Sequence, residues 1–287
     1  MFDIPILLTM YNRPNITKLV LEELLQVKPK YLFLAADGPK RGVEEDIRKC
    51  TETREMIRNV FFDKVDWNCE VKLQYQLENL GGKWGGYTAV DWFFQNVDKG
   101  IILEDDDLAD QSFFYFCKEL LGRYEDSNDI GIISGDNFQF GKMKISDSYY
   151  FSKYIHGWGW ATWKKVWNLL DIDMKDWPDE RHMVINPSFI DDTRENSFWR
   201  NTLDRMYAGA TDAWDYQFSY YLWKNNKLNI IPSINLVTNI GSEDSTHEMK
   251  NSPLVNVKRN KMLFPLKHPI EIKRNIQADI NSLGYYL

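Results

Sequence analysis

In the first half of the chain, apolar residues come in short unbroken runs separated by longer stretches where they recur every three or four positions. Unbroken runs suit strands buried on both faces of a parallel sheet, and the longer spacing suits amphipathic helices. Strands are predicted at 4–10, 31–36, 70–75, 100–103 and 130–134. Between them fall a helix from about residue 15, with Ile16, Leu19, Val20, Leu24 and Val27 inward, and a charged helix with Val43, Ile47, Cys50, Ile57 and Val60 on one face. Asp37-Gly38-Pro39 closes the second strand, Asn79-Leu80-Gly81-Gly82-Lys83 leads into a helix at 87–96, and another helix is predicted at 112–124. This alternation predicts a doubly wound α/β half, a mostly parallel central sheet flanked by helices.

Beyond Asp136-Asn137 the pattern loosens. A strand at 149–152 precedes the segment His156-Gly-Trp158-Gly-Trp160-Ala-Thr-Trp163, and helices are predicted near 164–170, 195–208 and 215–225. Extended runs follow at 228–231 and 234–237, then the loop 241–247 and a polar, Lys-rich tail. No linker, repeat or low-complexity stretch interrupts the chain, so a single domain over 1–287 is expected, with halves 1–137 and 138–287.

Composition narrows the function classes. The 287 residues carry 35 Lys and Arg against 42 Asp and Glu, a net charge of −7, which argues against a broadly basic nucleic-acid-binding surface. No window approaches the roughly 20 apolar residues of a membrane span. The start lacks a basic region and cleavage site, so a soluble, unsecreted, cytoplasmic protein is expected. The three cysteines, Cys50, Cys69 and Cys117, lack metal-ligand spacing and read as small buried or half-buried hydrophobes. Aromatic residues make up 15% of the chain, including 11 Trp, which serve equally as core or as stacking faces for sugars and bases.

The sharpest chemical signal is Glu104-Asp105-Asp106-Asp107 directly after the buried run Gly100-Ile-Ile-Leu103. In open α/β sheets ligands bind beyond the carboxyl ends of strands, and four consecutive carboxylates there call for a cation. A hard divalent ion, Mn²⁺ or Mg²⁺, takes carboxylate oxygens and shares its other positions with water and substrate phosphates. The competing reading is a solvated acidic turn that caps the next helix. At the same sheet edge Asp136 and Asn137 are placed to hydrogen-bond sugar hydroxyls, and His156 precedes three Trp that read either as stacking faces or as core.

The stretch Ile-Ile-Leu-Glu-Asp-Asp-Asp-Leu-Ala-Asp-Gln-Ser-Phe-Phe-Tyr-Phe at 101–116 resembles the metal-site segment of the N-acetylglucosaminyltransferase I family, glycosyltransferase family thirteen, which has the GT-A fold. Phe113 and Phe114 set the register. Glu104 falls on the family's Glu, Asp105 on its first Asp and Asp106 on the Asp that binds Mn²⁺, while the extra Asp107 leaves a one-residue shift open. Pro5-Ile-Leu-Leu-Thr-Met-Tyr-Asn-Arg13 is similar to the family's first strand and the Arg that approaches the nucleotide, and Asp37 matches the Asp that contacts uracil. Gly81-Gly82-Lys83 would then meet the donor pyrophosphate through backbone N–H groups and the Lys. Trp214-Asp215 matches the segment holding the family's base, with Asp212 as the runner-up, and the loop after 232–241 matches a mobile loop in which His247 would contact phosphate or metal.

The resemblance implies a metal-dependent inverting glycosyltransferase that moves a sugar from a UDP-sugar, N-acetylglucosamine first, to a glycan or glycolipid hydroxyl. It implies donor binding by the first half and acceptor binding and catalysis by the second. The alternatives are a GT-A enzyme with another nucleotide-sugar, a non-catalytic carbohydrate-binding protein on the same scaffold, and metal-dependent phosphoryl transfer, for which only one dense carboxylate cluster is evident. Family members carry a Golgi membrane anchor. This chain opens at its first strand, so a cytoplasmic location is expected, with peripheral membrane contact through the Lys-rich stretch around 250–273 weighed against a solvated basic face.

Overall fold

The computed structural model describes residues 1–181, 193–241 and 252–284. The first half runs β1 (Ile6–Met10), α1 (Pro14–Leu25), β2 (Tyr31–Ala36), α2 (Glu44–Lys64), β3 (Glu70–Tyr75), α3 (Gly81–Asn96), β4 (Lys99–Glu104), β5 (Asp107–Ala109), α4 (Gln111–Arg123) and β6 (Ile130–Ser134). The second half contributes β7 (Tyr149–Ser152), β8 (Trp160–Trp163), α5 (Lys164–Trp167), α6 (Trp177–Glu180), α7 (Thr193–Tyr207), α8 (Asp215–Lys224), β9 (Leu228–Pro232), β10 (Val237–Asn239) and α9 (Ile276–Leu283). Eight strands form one sheet in the order β3-β2-β1-β4-β8-β6-β9-β7, and β5 pairs with β10 in a separate two-stranded ribbon.

The sheet is mostly parallel. Its first four strands pair in parallel, as do β6 and β9, while β8 runs antiparallel between β4 and β6 and β7 antiparallel to β9. The apolar runs form these strands because both faces are covered, so each alternate residue finds apolar partners. In β8, Trp160 packs against Trp167 and Phe218 on one side, while Trp163 on the other donates its indole N–H to the Leu121 carbonyl of α4. Both are core residues, and Cys50 and Cys117 are buried as expected with Cys69 half-buried. Of the predicted inward positions, Val20, Leu24, Val27, Cys50, Ile57 and Val60 are buried, but Leu19, Val43 and Ile47 are exposed. In α2, Asp46 is buried near the N-terminus instead, because Tyr11, Asn12 and the Lys40 N–H all donate to its carboxylate.

Several elements differ from the sequence pattern, which does not mark the short strands β5 and β8 or the short helix α6. Helix α3 begins at Gly81 rather than 87, and the polar tail contains α9, whose Ala278, Asp279, Ser282 and Leu283 are buried. Ser152 of β7 and Arg274 both donate to Asp279, anchoring that helix through hydrogen bonds that an apolar pattern does not reveal. The expected strand at 234–237 shifts to Val237–Asn239, where it joins the ribbon. No helix among the described residues is long and apolar enough to cross a membrane.

The carboxyl ends of β1, β2, β4, β6 and β9 share one edge of the sheet, and the loops there gather the candidate residues. Gly100 lets β4 lie close to its neighbours at the opposite end. A Cβ at that position would collide with the Phe93 ring of α3 and lie 2.9 Å from the Pro5 carbonyl. Overpacking of this kind costs about 1–3 kcal/mol. Gly100→Ala is therefore expected to lower the urea midpoint without changing the slope of the transition; an unchanged midpoint would mean that Phe93 rotates away freely.

Candidate active site

The site begins where β4 ends. Glu104 is half-buried, whereas Asp105, Asp106 and Asp107 are buried. Asp105 faces β1 and α1, accepting from the Tyr11 N–H at 3.2 Å and from Arg13, whose Nη2 is paired with its Oδ1. Arg13 reaches onward, with Nη1 2.8 Å from Asp106 Oδ2. Asp107 points beneath the turn, where its Oδ2 accepts from the Glu104 N–H at 3.0 Å and the Gly159 N–H at 2.8 Å. Asp107 Oδ2 thus ties β4 to the 156–159 loop, while its buried Oδ1, like that of Asp106, has no hydrogen-bond partner among the described residues, so both registers keep a carboxylate oxygen for a metal. Gly159 lies in the Gly-Trp-Gly-Trp segment and has a φ of +64°, a backbone state that favours glycine.

The ribbon closes over this cluster. The Ile240 N–H donates to the Asp106 carbonyl at 2.9 Å, and the Gly241 backbone lies so close to the Asp106 carboxylate that a Cβ would overlap it. His247 lies outside the described residues. Burial raises the pKa of Glu104 to about 8, with the Asp106 and Asp105 charges adding, Arg13 opposing and Asp215 adding again. Burial likewise pushes Asp105 and Asp107 upward, in Asp105 against the pull of Arg13. Asp215, the first residue of α8, is thus within electrostatic reach of the cluster.

A second constellation surrounds the N-terminus of α3. Asp37 accepts from the Gly38 N–H at 2.7 Å, the Leu80 N–H at 2.9 Å and the Asn79 amide at 2.9 Å. Asp212 accepts from the Gly82 and Lys83 N–H groups, both at 2.7 Å. The N–H groups expected to meet a pyrophosphate are bound by Asp212, and Asp37, matched to the uracil-contacting Asp, is held by the Gly38 and Leu80 N–H groups and Asn79. Lys83 lies with Nζ 5.1 Å from the Trp84 ring centre. The sequence Gly81-Gly82-Lys83-Trp84-Gly85-Gly86 follows from close approach: a Cβ on Gly81 would sit 2.7 Å from Asp212 Oδ2, on Gly82 2.7 Å from the Asp212 carbonyl and on Gly86 2.5 Å from Trp214 Nε1. Trp214, in the segment matched to the family's base, is half-buried and has its ring centre 5.7 Å from those of both Trp160 and Trp167.

At the end of β6, Asp136 and Asn137 are buried. Asn137 donates to the Pro232 carbonyl at 2.6 Å and accepts from the Gln139 N–H at 2.8 Å, so its amide holds loops together rather than facing a sugar. Asp136 accepts from the Trp158 N–H at 3.3 Å, and its Oδ1 lies 3.0 Å from His156 Nδ1, off the hydrogen-bond direction. Burial raises the Asp136 pKa against the His156 contact. Trp158 is half-buried, unlike Trp160 and Trp163.

The donor set at Asp106 fits a hard divalent ion. It consists of carboxylate oxygens, and buried Asp106 Oδ1 has no hydrogen-bond partner among the described residues. Among those residues no group of three or more His, Cys, Asp and Glu side chains is arranged to hold a metal by itself. An ion of this class needs only one or two protein carboxylates when substrate phosphates and water complete its shell.

Neither a protein-family model nor a curated protein sequence matches the chain. Solved structures similar to it include the inositol-1-phosphate CTP transferase from T. maritima, with 11% identity over 86% of this chain and 93% of that one at a TM-score of 0.41. Others are HddC from Yersinia pseudotuberculosis, with 13% identity over 57% and 78% and a TM-score of 0.33, and the 4-diphosphocytidyl-2C-methyl-D-erythritol synthase from Anaerococcus prevotii DSM 20548, with 8% over 71% and 100% and a TM-score of 0.35. At these scores the fold class rests on the chain's own strand order.

Because Asp212 caps α3 from 130 residues away, its removal should loosen the contact between the two halves. Losing a cap of this kind costs about 1–2 kcal/mol. Asp212→Ala is expected to lower the thermal midpoint, with Asp212→Asn intermediate; a variant as stable as the parent would show that water replaces the carboxylate without penalty.

Proposed function

We propose that the chain is a metal-dependent inverting glycosyltransferase of GT-A type. It transfers a sugar, N-acetylglucosamine first among candidates, from a UDP-sugar to a hydroxyl of a glycan or glycolipid. In this reading 1–287 act as one catalytic domain, with the donor on 1–137 and the acceptor on 138–287. The observation that carries it is the Arg13–Asp105–Asp106 arrangement at the carboxyl edge of the sheet, with Asp106 Oδ1 buried and without a hydrogen-bond partner among the described residues.

Asp106 is the residue assigned to Mn²⁺ or Mg²⁺, with Glu104 and Asp105 beside it; the bound ion would offset negative charge on the leaving diphosphate. Arg13 supplies a fixed positive charge at the same place and orients both Asp105 and Asp106. Asp37 and Asp212 act through the 79–83 backbone, so that Trp214 and Asp215 are carried on a segment fastened to α3. A sugar hydroxyl is a poor nucleophile, and Asp215 takes its proton as it attacks the anomeric carbon. Asp215 stands at the first turn of α8, on the segment that Asp212 fastens to α3. For a glycolipid acceptor, Lys258, Lys261, Lys267 and Lys273 offer positive charge toward an anionic surface.

Thermal stability with UDP, GDP, CMP and dTDP, each with and without Mn²⁺, tests the donor half. A ligand at about 100 times its dissociation constant adds about 2.7 kcal/mol. The expected result is a shift that needs both UDP and Mn²⁺ and is lost in Asp106→Ala; no shift with any nucleotide would favour a carbohydrate-binding protein on this scaffold. Asp215→Asn should keep the shift and lose about 10²–10⁴ in turnover. Wild-type turnover in that variant would remove Asp215 as the base.

A further inference from the structure

The loop after β6 carries an aromatic group that neither the metal reading nor the core accounts for. The Phe138 ring is near-parallel to His156, at 4.8 Å between centres and 26°, and to Phe140, at 6.3 Å and 19°. The half-buried Trp158 meets Phe138 edge-on at 5.4 Å and 82°. Phe138 and His156 are buried, but Phe140 is 43% exposed. Phe140 also has φ +48°, followed by Gly141 at +74°. Bulky residues rarely adopt that region, and strained backbone of this kind concentrates at functional sites. The chain therefore holds a solvent-facing aromatic ring in an unfavourable backbone state, beside rather than within the core.

Its position limits the ligand. The Trp158 N–H donates to Asp136, and the next residue, Gly159, donates to Asp107, so the rings stand one turn from the acidic cluster. They lie on the β6–β8 side of the sheet edge, away from Arg13 and Asp37 at the ends of β1 and β2. In the glycosyltransferase reading, a group stacked there would lie on the 138–287 side assigned to the acceptor, apart from Arg13 and Asp37 on the donor side. Flat aromatic faces suit the C–H face of a pyranose ring, whose hydroxyls remain free for polar neighbours, better than they suit an extended aliphatic chain. We propose that Phe140 and Trp158 form the stacking subsite for the acceptor sugar ring, a placement that rests on the glycosyltransferase reading above.

The probes are the methyl β-glycosides of glucose, galactose and N-acetylglucosamine, followed by saturation-transfer NMR and tryptophan fluorescence with no nucleotide and no metal present. At least one glycoside should bind the parent protein. Phe140→Ala should weaken it roughly tenfold, and Phe140→Tyr, which retains the ring, should bind as the parent does. The UDP and Mn²⁺ thermal shift should persist in Phe140→Ala. Equal glycoside binding in Phe140→Ala, or no glycoside bound by the parent, would overturn the subsite. Loss of the UDP shift in a folded Phe140→Ala would place the nucleotide on the ring instead. Phe140-dependent glycoside binding in a protein that never responds to UDP and Mn²⁺ would leave the subsite standing and remove the glycosyltransferase reading.

Discussion

Arg13 bridges Asp105 and Asp106 across 92 and 93 residues of sequence, and the carboxyl edge of the sheet is organised around that bridge. Four consecutive carboxylates at the end of a buried strand repel one another and lose hydration, so burial pushes Glu104, Asp105 and Asp107 toward their neutral forms. One guanidinium offsets part of that charge. Removing one partner of a buried pair is costly, about 3–5 kcal/mol in well-studied cases, because the other is left uncompensated. A cation arriving beside Asp106 would offset the same repulsion and draw the neighbouring carboxyls back toward their ionised forms.

Every neighbouring element serves that placement. Asp46 of α2 holds the Tyr11-Asn12 turn that presents Arg13. Asp107 holds the 156–159 loop, and the β5–β10 ribbon lays Gly241 against Asp106. On the other flank, Asp37 and Asp212 share the N-terminus of α3, where free N–H groups and the helix dipole favour negative charge. Two carboxylates from distant segments meet there, which fastens the segment carrying Trp214 and Asp215 to the first half.

Several side chains with the composition of ligand-binding groups are engaged by the protein itself. Gly81-Gly82-Lys83 has the composition of a phosphate-binding turn, but the same absence of Cβ atoms admits a protein carboxylate equally well, and Asp212 is the group that arrives. Trp214 and Trp160 have faces suited to stacking on a ligand, and they pack against each other in a tilted pair at 5.7 Å between ring centres. Asn137 has hydrogen-bonding capacity that loop carbonyls and N–H groups consume. Leu19 and Ile47 fit a helical stripe, yet they lie at its edge and remain exposed. Residue type states what a side chain is able to bind, and competition among neighbours in space decides what it does bind.

Local periodicity was enough to determine the alternation of strands and helices, the α/β class, and the arrival of Glu104–Asp107 at the carboxyl end of a buried strand. Those features depend on residues only a few positions apart, where burial of an apolar face dictates the spacing. Only the tertiary structure decided the insertion of β8 between β4 and β6, the tie from Asp107 to the Gly159 N–H, the capping of α3 by Asp212 and the alignment of Phe140 with Phe138. Each of these is set by hydrogen bonds, charges and ring contacts whose energy depends on distance in space, and the groups that make most of them are far apart along the chain.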